Sequence, residues 1–190
     1  MNLKKIQKSL KKELDSERYE HTIGVMYTAA ALAMAHNFSI KDAQLAGLLH
    51  DCAKCIPNDE KIRLCVKNGI QISQSELKSP YLIHAKLGAF FAREIYQIEN
   101  EEILQAIRLH TTGAPHMSKL DKIIYIADYI EPHRDRAPNL NQIRKIAFQD
   151  LDETMLRILS DTLDYLSKHK GTIDSKTEEA YRYFTKLSKD

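Results

Sequence analysis

Two histidines and two aspartates lie at positions where the surrounding helical pattern is apolar: His21, His50, Asp51 and Asp128. Their neighbours at helical spacing are mostly alanine, glycine, valine, leucine or isoleucine. A carboxylate on such a face needs a cation, a strong set of hydrogen bonds or a solvent-filled cleft, because burying an unpartnered charge is strongly unfavourable. A shared divalent metal would meet this need for all four residues, and two imidazoles with two carboxylates suit a borderline transition metal.

Four more residues could act on phosphate beside such a metal. His84 lies on an apolar helix face, and His110 ends a helix just before the segment Thr-Thr-Gly. Either histidine could touch phosphate, donate a proton or ligate a second metal. Lys54 follows the His-Asp pair by three residues, which is about one helical turn, and Arg134 follows the helix of the second aspartate. Both could neutralise phosphate charge, and arginine offers a bidentate fork.

Each of these residues has an ordinary explanation when it is taken alone. A single histidine on an apolar face is more often a hydrogen-bonded core residue, and a lone aspartate beside a helix end is usually a cap. Lysine and arginine in such places are as often solvated surface charges. The combination of a histidine, a His-Asp pair and a later aspartate, each on an apolar face, favours the metal site.

The elements that would position these residues are helices almost throughout. Helical periodicity, repeated capping-box patterns and few glycines or prolines predict an all-α fold of about nine helices in a compact bundle. The predicted helices span 2–14, 17–36, 40–53, 59–67, 80–97, 101–110, 119–131, 140–169 (broken near Gln149) and 176–188. We expect a single domain over 1–190, with its core at about 17–186, because no linker or internal repeat is visible.

Composition narrows the class of protein. Acidic and basic residues nearly cancel, to a formal net charge of +2, which is not typical of a dedicated nucleic-acid binder. Three cysteines without framework spacing are typical of a reduced, intracellular protein. No apolar run reaches the roughly 18 residues that a membrane span needs, and the lysine-rich start lacks the apolar region of a secretory signal. We therefore expect a cytoplasmic protein that contacts neither membrane nor nucleic acid.

Four segments carry a resemblance to a known family. They are RYEH at 18–21, LAGLLHDCAK at 45–54, HTTG at 110–113 and LDKIIYIADYIEPHR at 120–134. The order His, His-Asp, Asp is the signature of HD-domain metal phosphohydrolases, and the longer segments resemble the YqeK family of symmetrical bis(5′-nucleosyl)-tetraphosphatases. The resemblance extends from about residue 18 to 183. It is most specific in the last of the four segments.

The resemblance implies a substrate, a reaction and a metal. Diadenosine tetraphosphate and related dinucleoside tetraphosphates would be cut in the middle, to two ADP, by attack of a metal-activated water on an inner phosphate. The ligands would be His21, His50, Asp51 and Asp128, around iron foremost, with manganese, cobalt or nickel as alternatives and a second metal left open. Asp51 or Asp128 would take the proton of the water.

The resemblance also implies which residues meet the substrate. They are Arg18, His21, Lys54, His84, His110, Thr111, Asp128, Arg134 and Tyr181. Among them Lys54, Arg134 and a protonated His84 or His110 would stabilise charge on the phosphoryl oxygens. Family members often carry an asparagine shortly after the Ala-Tyr pair that stands here at 180–181, whereas this chain has Arg182. The residues that recognise the base therefore stay open.

Two other hypotheses remain beside this one. The enzyme could act on a different nucleotide, such as a deoxynucleotide, a cyclic nucleotide or a guanosine alarmone. Alternatively, the chain could be a regulatory module that binds nucleotide without turnover, although all six metal and histidine positions are present. A homodimer is compatible with the sequence.

Overall fold

The helices follow from strong local start signals. In the computed structural model, which describes residues 2–135 and 137–189, Ser73 and Ser118 each form a complete capping box with the acidic residue three positions later. Asp15, Asn100 and Asp150 also accept backbone N–H groups at helix starts. Met1, Arg136 and Asp190, which the predicted domain 1–190 includes, lie outside the described residues.

The described residues form eleven α-helices and one 3₁₀ helix, with no β-strand among them. The α-helices are α1 (Leu3–Glu13), α2 (Ser16–Ala35), α3 (Ile40–Leu49), α4 (Asn58–Lys67), α5 (Gln74–Lys78), α6 (His84–Glu94), α7 (Glu101–Leu109), α8 (Lys119–Ile130), α9 (Leu140–Ala147), α10 (Leu151–Lys168) and α11 (Ser175–Leu187). The 3₁₀ helix is Pro80–Ile83. The all-α prediction is confirmed, and the count exceeds the predicted nine.

The helix predicted at 40–53 is shorter, since α3 ends at Leu49 and the residues His50 and Asp51 lie in the turn that follows. Three further differences from the predicted helices have local causes. The short helix α5 was not predicted, although its capping box is visible in the sequence. The helix predicted at 80–97 begins as the 3₁₀ turn and becomes α-helical only at His84. The segment 140–169 divides where Asp150 caps α10, close to the predicted break.

One large hydrophobic cluster holds the bundle together. It joins buried side chains of α1, α2, α3, α6, α7, α8, α9, α10 and α11, while a smaller cluster consists of Ala53, Cys65, Ile83 and Leu87. Helix α2 packs mainly on α3 and α8, and α7 packs on α6 and α8. This packing brings the metal-binding candidates of separate helices to one place. No helix in the described ranges combines the length and the apolar character that crossing a membrane requires.

Candidate metal centre

Six of the predicted residues converge from five helices. His21 lies in the second turn of α2, His50 and Asp51 directly follow α3, and Asp128 lies in the last turn of α8. The other two are His84, the first residue of α6, and His110, which directly follows α7. Their ligand atoms form three overlapping groups, each lying within 4.8 Å, so the two carboxylates and four imidazoles make one cluster.

The first part of the cluster, which we call the His21–His50 side, surrounds Oδ2 of Asp51. His21 Nε2 lies 3.1 Å from Asp128 Oδ1 and 3.8 Å from Asp51 Oδ2. His50 Nε2 lies 3.4 Å from the same Asp51 oxygen and 4.0 Å from Asp128 Oδ1. The two imidazole nitrogens therefore lie 3.1–4.0 Å from the two carboxylate oxygens.

The second part, which we call the His84–His110 side, surrounds Oδ1 of Asp51. That oxygen lies 3.1 Å from His84 Nε2 and 3.5 Å from His110 Nε2, and the two nitrogens are 3.0 Å apart. Lys54 Nζ lies 3.3 Å from His84 Nε2, and Thr111 Oγ1 lies 3.1 Å from His110 Nε2. Asp51 thus connects the two sides through its two carboxylate oxygens.

Three of the four imidazoles are anchored by a carbonyl of their own segment. The Nδ1 atoms of His50 and His110 lie 2.7 Å from the carbonyl oxygens of Gly47 and Ile107, each three residues earlier. His84 makes the same contact, 2.5 Å from the carbonyl oxygen three residues before it. A carbonyl oxygen can only accept, so Nδ1 carries the hydrogen and a neutral ring directs the lone pair of Nε2 into the cluster.

Both cluster carboxylates are ionised at neutral pH. Burial by itself would raise the pKa of Asp51, but the neighbouring His50, His110 and His84 hold it well below its ordinary value. The same balance holds for Asp128, where nearby His21, His50 and Arg134 outweigh burial and lower the pKa well below the ordinary value. Two negative charges therefore persist inside the bundle.

The two sides differ in the proton affinity of their imidazoles. Burial would lower the pKa of His50, yet the charges of Asp51 and Asp128 raise it above its ordinary value. Burial dominates at His84, and with the nearby Lys54 charge it lowers the pKa to about 4. The low pKa of His84 favours the neutral ring at neutral pH, which disfavours this residue as the protonated histidine of the predicted pair His84 or His110.

The residues present fit a divalent transition metal. Three buried polar atoms of the cluster, namely His21 Nε2, His50 Nε2 and Asp51 Oδ1, have no hydrogen-bond partner within residues 2–135 and 137–189. Such atoms are rare in folded proteins, since each costs its full desolvation free energy unless something binds it. Imidazole nitrogens and carboxylate oxygens suit zinc, iron, nickel and similar ions. The unpartnered atoms point to a cation as the missing partner.

Comparison with known proteins agrees with this donor set. The HD domain family profile matches residues 18–133, a range that contains all six cluster residues. The chain is 39% identical over 181 residues to a Halalkalibacterium halodurans protein named symmetrical bis(5′-nucleosyl)-tetraphosphatase, covering 95% of this chain and 96% of that protein. A Bacillus subtilis protein of the same name is 34% identical, with 96% and 97% covered.

The chain belongs to the YqeK family of HD-domain phosphohydrolases. A crystal structure from Clostridium acetobutylicum, described as a predicted HD superfamily hydrolase involved in NAD metabolism, superposes with a TM-score of 0.94 at 37% identity. The superposition covers 100% of this chain and 99% of the Clostridium acetobutylicum chain. The HD fold therefore accounts for the whole bundle, and not for the metal centre alone.

Beside the HD cluster lies a polar cavity of about 520 Å³. Lys54, His110, Thr111, Asp128 and Arg134 line it, as the sequence predicts for residues that meet the substrate. The cavity also reaches Glu17, Tyr125, Tyr129, His133, Asp135, Ala137 and Thr162. Carboxylate, cationic and aromatic side chains thus line one cavity next to the metal-binding atoms.

Two predicted contact residues are arginines already paired with cluster carboxylates. Arg18 lies one turn before His21, and its NH1 atom is 2.8 Å from Asp51 Oδ2. Arg134 donates through NH2 to Asp128 Oδ1 at 2.7 Å and through Nε to the Asp128 carbonyl at 3.0 Å. Both cations therefore stand beside the metal ligands.

Tyr181 is not among the residues that line this cavity. It is partly buried and packs against the main hydrophobic cluster. The aromatic side chains that do line the cavity are Tyr125 and Tyr129 of α8, which repeat at helical spacing around Asp128. From the sequence alone these two tyrosines could stack on adenine, but aromatic side chains at helical spacing are more often part of the core.

Sequence reasoning also missed Glu131. This carboxylate is 1% exposed, and its Oε1 lies 3.0 Å from His21 Nδ1. Burial would raise the pKa of Glu131, but the backbone N–H of His133 and the His21 ring lower it. The sequence did offer a signal for this residue, since Glu131 follows Asp128 by three residues, which is about one helical turn.

Proposed function

We propose that this protein hydrolyses diadenosine tetraphosphate and related dinucleoside tetraphosphates symmetrically, to two nucleoside diphosphates, with a divalent metal at the HD cluster. The observation that carries the proposal is the cluster itself, in a chain whose nearly full-length relatives are named for this activity. The polar cavity beside the cluster supports a polyphosphate substrate, since cationic side chains line it.

The metal would be held by His21, His50, Asp51 and Asp128, and iron is the ion we expect, with manganese, cobalt or nickel as substitutes. Its contribution when bound would be Lewis acidity, which polarises a phosphoryl oxygen and makes water a better nucleophile at neutral pH. Asp51 or Asp128 would accept the proton of the attacking water, since both carboxylates are ionised, although their depressed pKa values make them weak bases.

The phosphate charge would be met by side chains of the cavity. Lys54 lines the cavity and its Nζ lies 3.9 Å from Asp51 Oδ1, so it could bind a phosphate beside the metal ligands. Arg134 has five N–H donors, of which Asp128 takes two, and Thr111 adds a hydroxyl. These groups would stabilise charge that develops on the phosphoryl oxygens during in-line displacement.

The tautomers of His84 and His110 favour a ligand role over direct phosphate contact. Their Nδ1 atoms donate to carbonyl oxygens, which leaves lone pairs on both Nε2 atoms when the rings are neutral. A lone pair repels a phosphate oxygen but binds a cation. We therefore place a second, weaker cation among Asp51 Oδ1, His84 Nε2 and His110 Nε2.

The test is a product assay with purified, metal-loaded protein. Diadenosine tetraphosphate should give ADP as the sole nucleotide product, and chelator should abolish the reaction. A deoxynucleotide, a cyclic nucleotide and a guanosine alarmone serve as parallel substrates. Formation of AMP with ATP would contradict symmetrical cleavage. Turnover of a parallel substrate with the tetraphosphate untouched would replace the assignment, and tight ADP binding without hydrolysis under every metal would indicate a regulatory module.

A further inference from the structure

His21 is the one cluster histidine whose Nδ1 contacts a side chain of another element and not a carbonyl of its own segment. His50, His84 and His110 stand at helix ends, where carbonyls have no regular helical partner and can accept from Nδ1. His21 is the sixth residue of α2, and inside a helix each carbonyl already accepts the N–H four residues later. Its Nδ1 therefore needs an acceptor from another element.

Glu131 supplies that acceptor from the end of α8. Its Oε1 lies 3.0 Å from His21 Nδ1, and Oε2 accepts from the backbone N–H of His133 at 2.8 Å. The ring of His133, which is largely exposed, lies 3.0 Å from the same oxygen. Both carboxylate oxygens are thus engaged, and these contacts hold the side chain in one orientation.

The position of the Glu131 carboxylate against α2 depends on Gly24. A Cβ atom at this position would lie 2.4 Å from Glu131 Oε2, far inside van der Waals contact. Gly24 follows His21 by three residues, so it lies on the same side of α2. The absence of a side chain here leaves the space that the carboxylate occupies.

We propose that Glu131 is a positioning residue that fixes the tautomer and orientation of His21, and that Gly24 is the position that admits it. With Nδ1–H donated to the carboxylate, His21 presents the lone pair of Nε2 to Asp128 and Asp51. A carboxylate behind a metal-ligating histidine orients the ring and raises its basicity. This inference rests on the metal site of the proposed function and not on its substrate.

Metal affinity is the direct readout, measured with Mn²⁺ or Co²⁺ by calorimetry and chelator competition. Loss of such a partner typically costs about 10- to 100-fold in metal affinity, and we expect this loss in Glu131→Ala. Glu131→Gln keeps an oxygen acceptor and should recover part of the affinity. The visible absorption of bound Co²⁺, which reports its ligands, should change in the alanine variant and return toward wild type in the glutamine variant.

Glu76→Gln is the matched control for loss of a buried carboxylate. Glu76 is also buried, and it likewise accepts from a backbone N–H, that of Ser73, and pairs with Lys86. This variant should lower the melting temperature while metal affinity stays unchanged. Equal metal affinity in wild type, Glu131→Ala and Glu131→Gln would overturn the proposal, and so would an equal loss in Glu76→Gln.

Gly24→Ala tests the same contact without changing any charge. We expect it to weaken metal binding about as much as Glu131→Ala, because the added methyl group displaces the carboxylate. In the double variant the methyl group meets no carboxylate, so the affinity should match Glu131→Ala alone. Gly171→Ala, where a Cβ would lie 2.7 Å from Leu166 Cδ2, controls for steric conflict elsewhere. Additive losses in the double variant would contradict a shared mechanism.

The outcomes separate this inference from the proposed function. If wild-type protein binds no divalent metal, the proposed function fails. If it binds metal but cleaves no tetraphosphate, the substrate assignment fails while the role of Glu131 is still measured by affinity. If the wild-type protein binds metal and cleaves tetraphosphate, but replacing Glu131 does not lower the metal affinity, only the inference about Glu131 fails.

Discussion

The two sides of Asp51 contain the same kinds of atoms but differ in what those atoms already contact. On the His21–His50 side, both Nε2 atoms lack a hydrogen-bond partner. On the His84–His110 side, the two Nε2 atoms lie within 3.3 Å of Lys54 Nζ or Thr111 Oγ1, which can donate to their lone pairs. On the first side the arginines Arg18 and Arg134 donate to the carboxylate oxygens but leave both imidazole lone pairs open to a cation. On the second side a cation must displace an ammonium group and a hydroxyl from the imidazoles.

This difference shows that the types of ligand atom alone do not determine which of two sites binds a metal ion more tightly. Imidazole and carboxylate groups are present on both sides, yet only the first side has its imidazole lone pairs unused. We expect one tightly bound ion on the His21–His50 side and a weaker one on the His84–His110 side. Displacement of Lys54 by the second ion would free its charge for phosphate.

The largest effect should come from Asp128→Asn, on the first side. The amide cannot replace the negative oxygen that faces His21 and His50, so tight metal binding and turnover should both be lost. Metal content by elemental analysis and ADP release are the measurements. Asp152→Asn, at an exposed aspartate paired with Lys122, is the control and should keep both. If the Asp128→Asn protein retained its metal and its activity, the assignment of the tight metal site to the His21–His50 side would be contradicted.

Lys54→Met should separate the two sides by opposite effects. Loss of a phosphate-binding charge should lower kcat by about 10²-fold. Loss of the ammonium beside His84 should at the same time strengthen binding of the second, weaker ion, because a like charge no longer competes. Calorimetric titration with Mn²⁺ measures the second effect.

Lys119→Met controls for the loss of a lysine, since its side chain is exposed and donates to the carbonyl of His36. It should change neither kcat nor the second binding step. If Lys54→Met binds the second ion no better than wild type, the competition between Lys54 and a cation is refuted.

The smallest effect is a difference in titration between His50 and His84 in metal-free protein. Neighbouring carboxylates raise the pKa of His50 above 6.5, while burial lowers that of His84 to about 4. As the pH falls from 8 to 5, the ring of His50 should gain its proton while His84 stays neutral. Proton–nitrogen correlation spectra of the rings record both. A common midpoint near 6.5 would show that the two environments are electrostatically alike.

Much of the fold was predictable because its signals are local. The capping serines and aspartates fixed where most helices begin, and helical periodicity identified the apolar faces that carry His21 and Asp128. Helix α5 was missed because five residues are too few for periodicity to show. The 3₁₀ turn before His84 was missed because its residues also suit an α-helix.

The site was predictable where its chemistry lies in residue type, and less so where it lies in geometry. His21, His50, Asp51 and Asp128 were found because their polarity conflicts with apolar surroundings. The neutral state of His84 depends on burial and on the nearby Lys54, which the sequence does not give. The link from Glu131 to His21 joins residues 110 positions apart and needs the packing of α2 on α8.

The most direct test of the metal centre is X-ray diffraction from metal-loaded crystals, recorded at the absorption edge of the ion. The strongest anomalous peak should lie within about 2.0–2.3 Å of His21 Nε2, His50 Nε2 and carboxylate oxygens of Asp51 and Asp128. A weaker peak should lie on the His84–His110 side. A strongest peak that contacts neither His21 nor Asp128 would contradict the account.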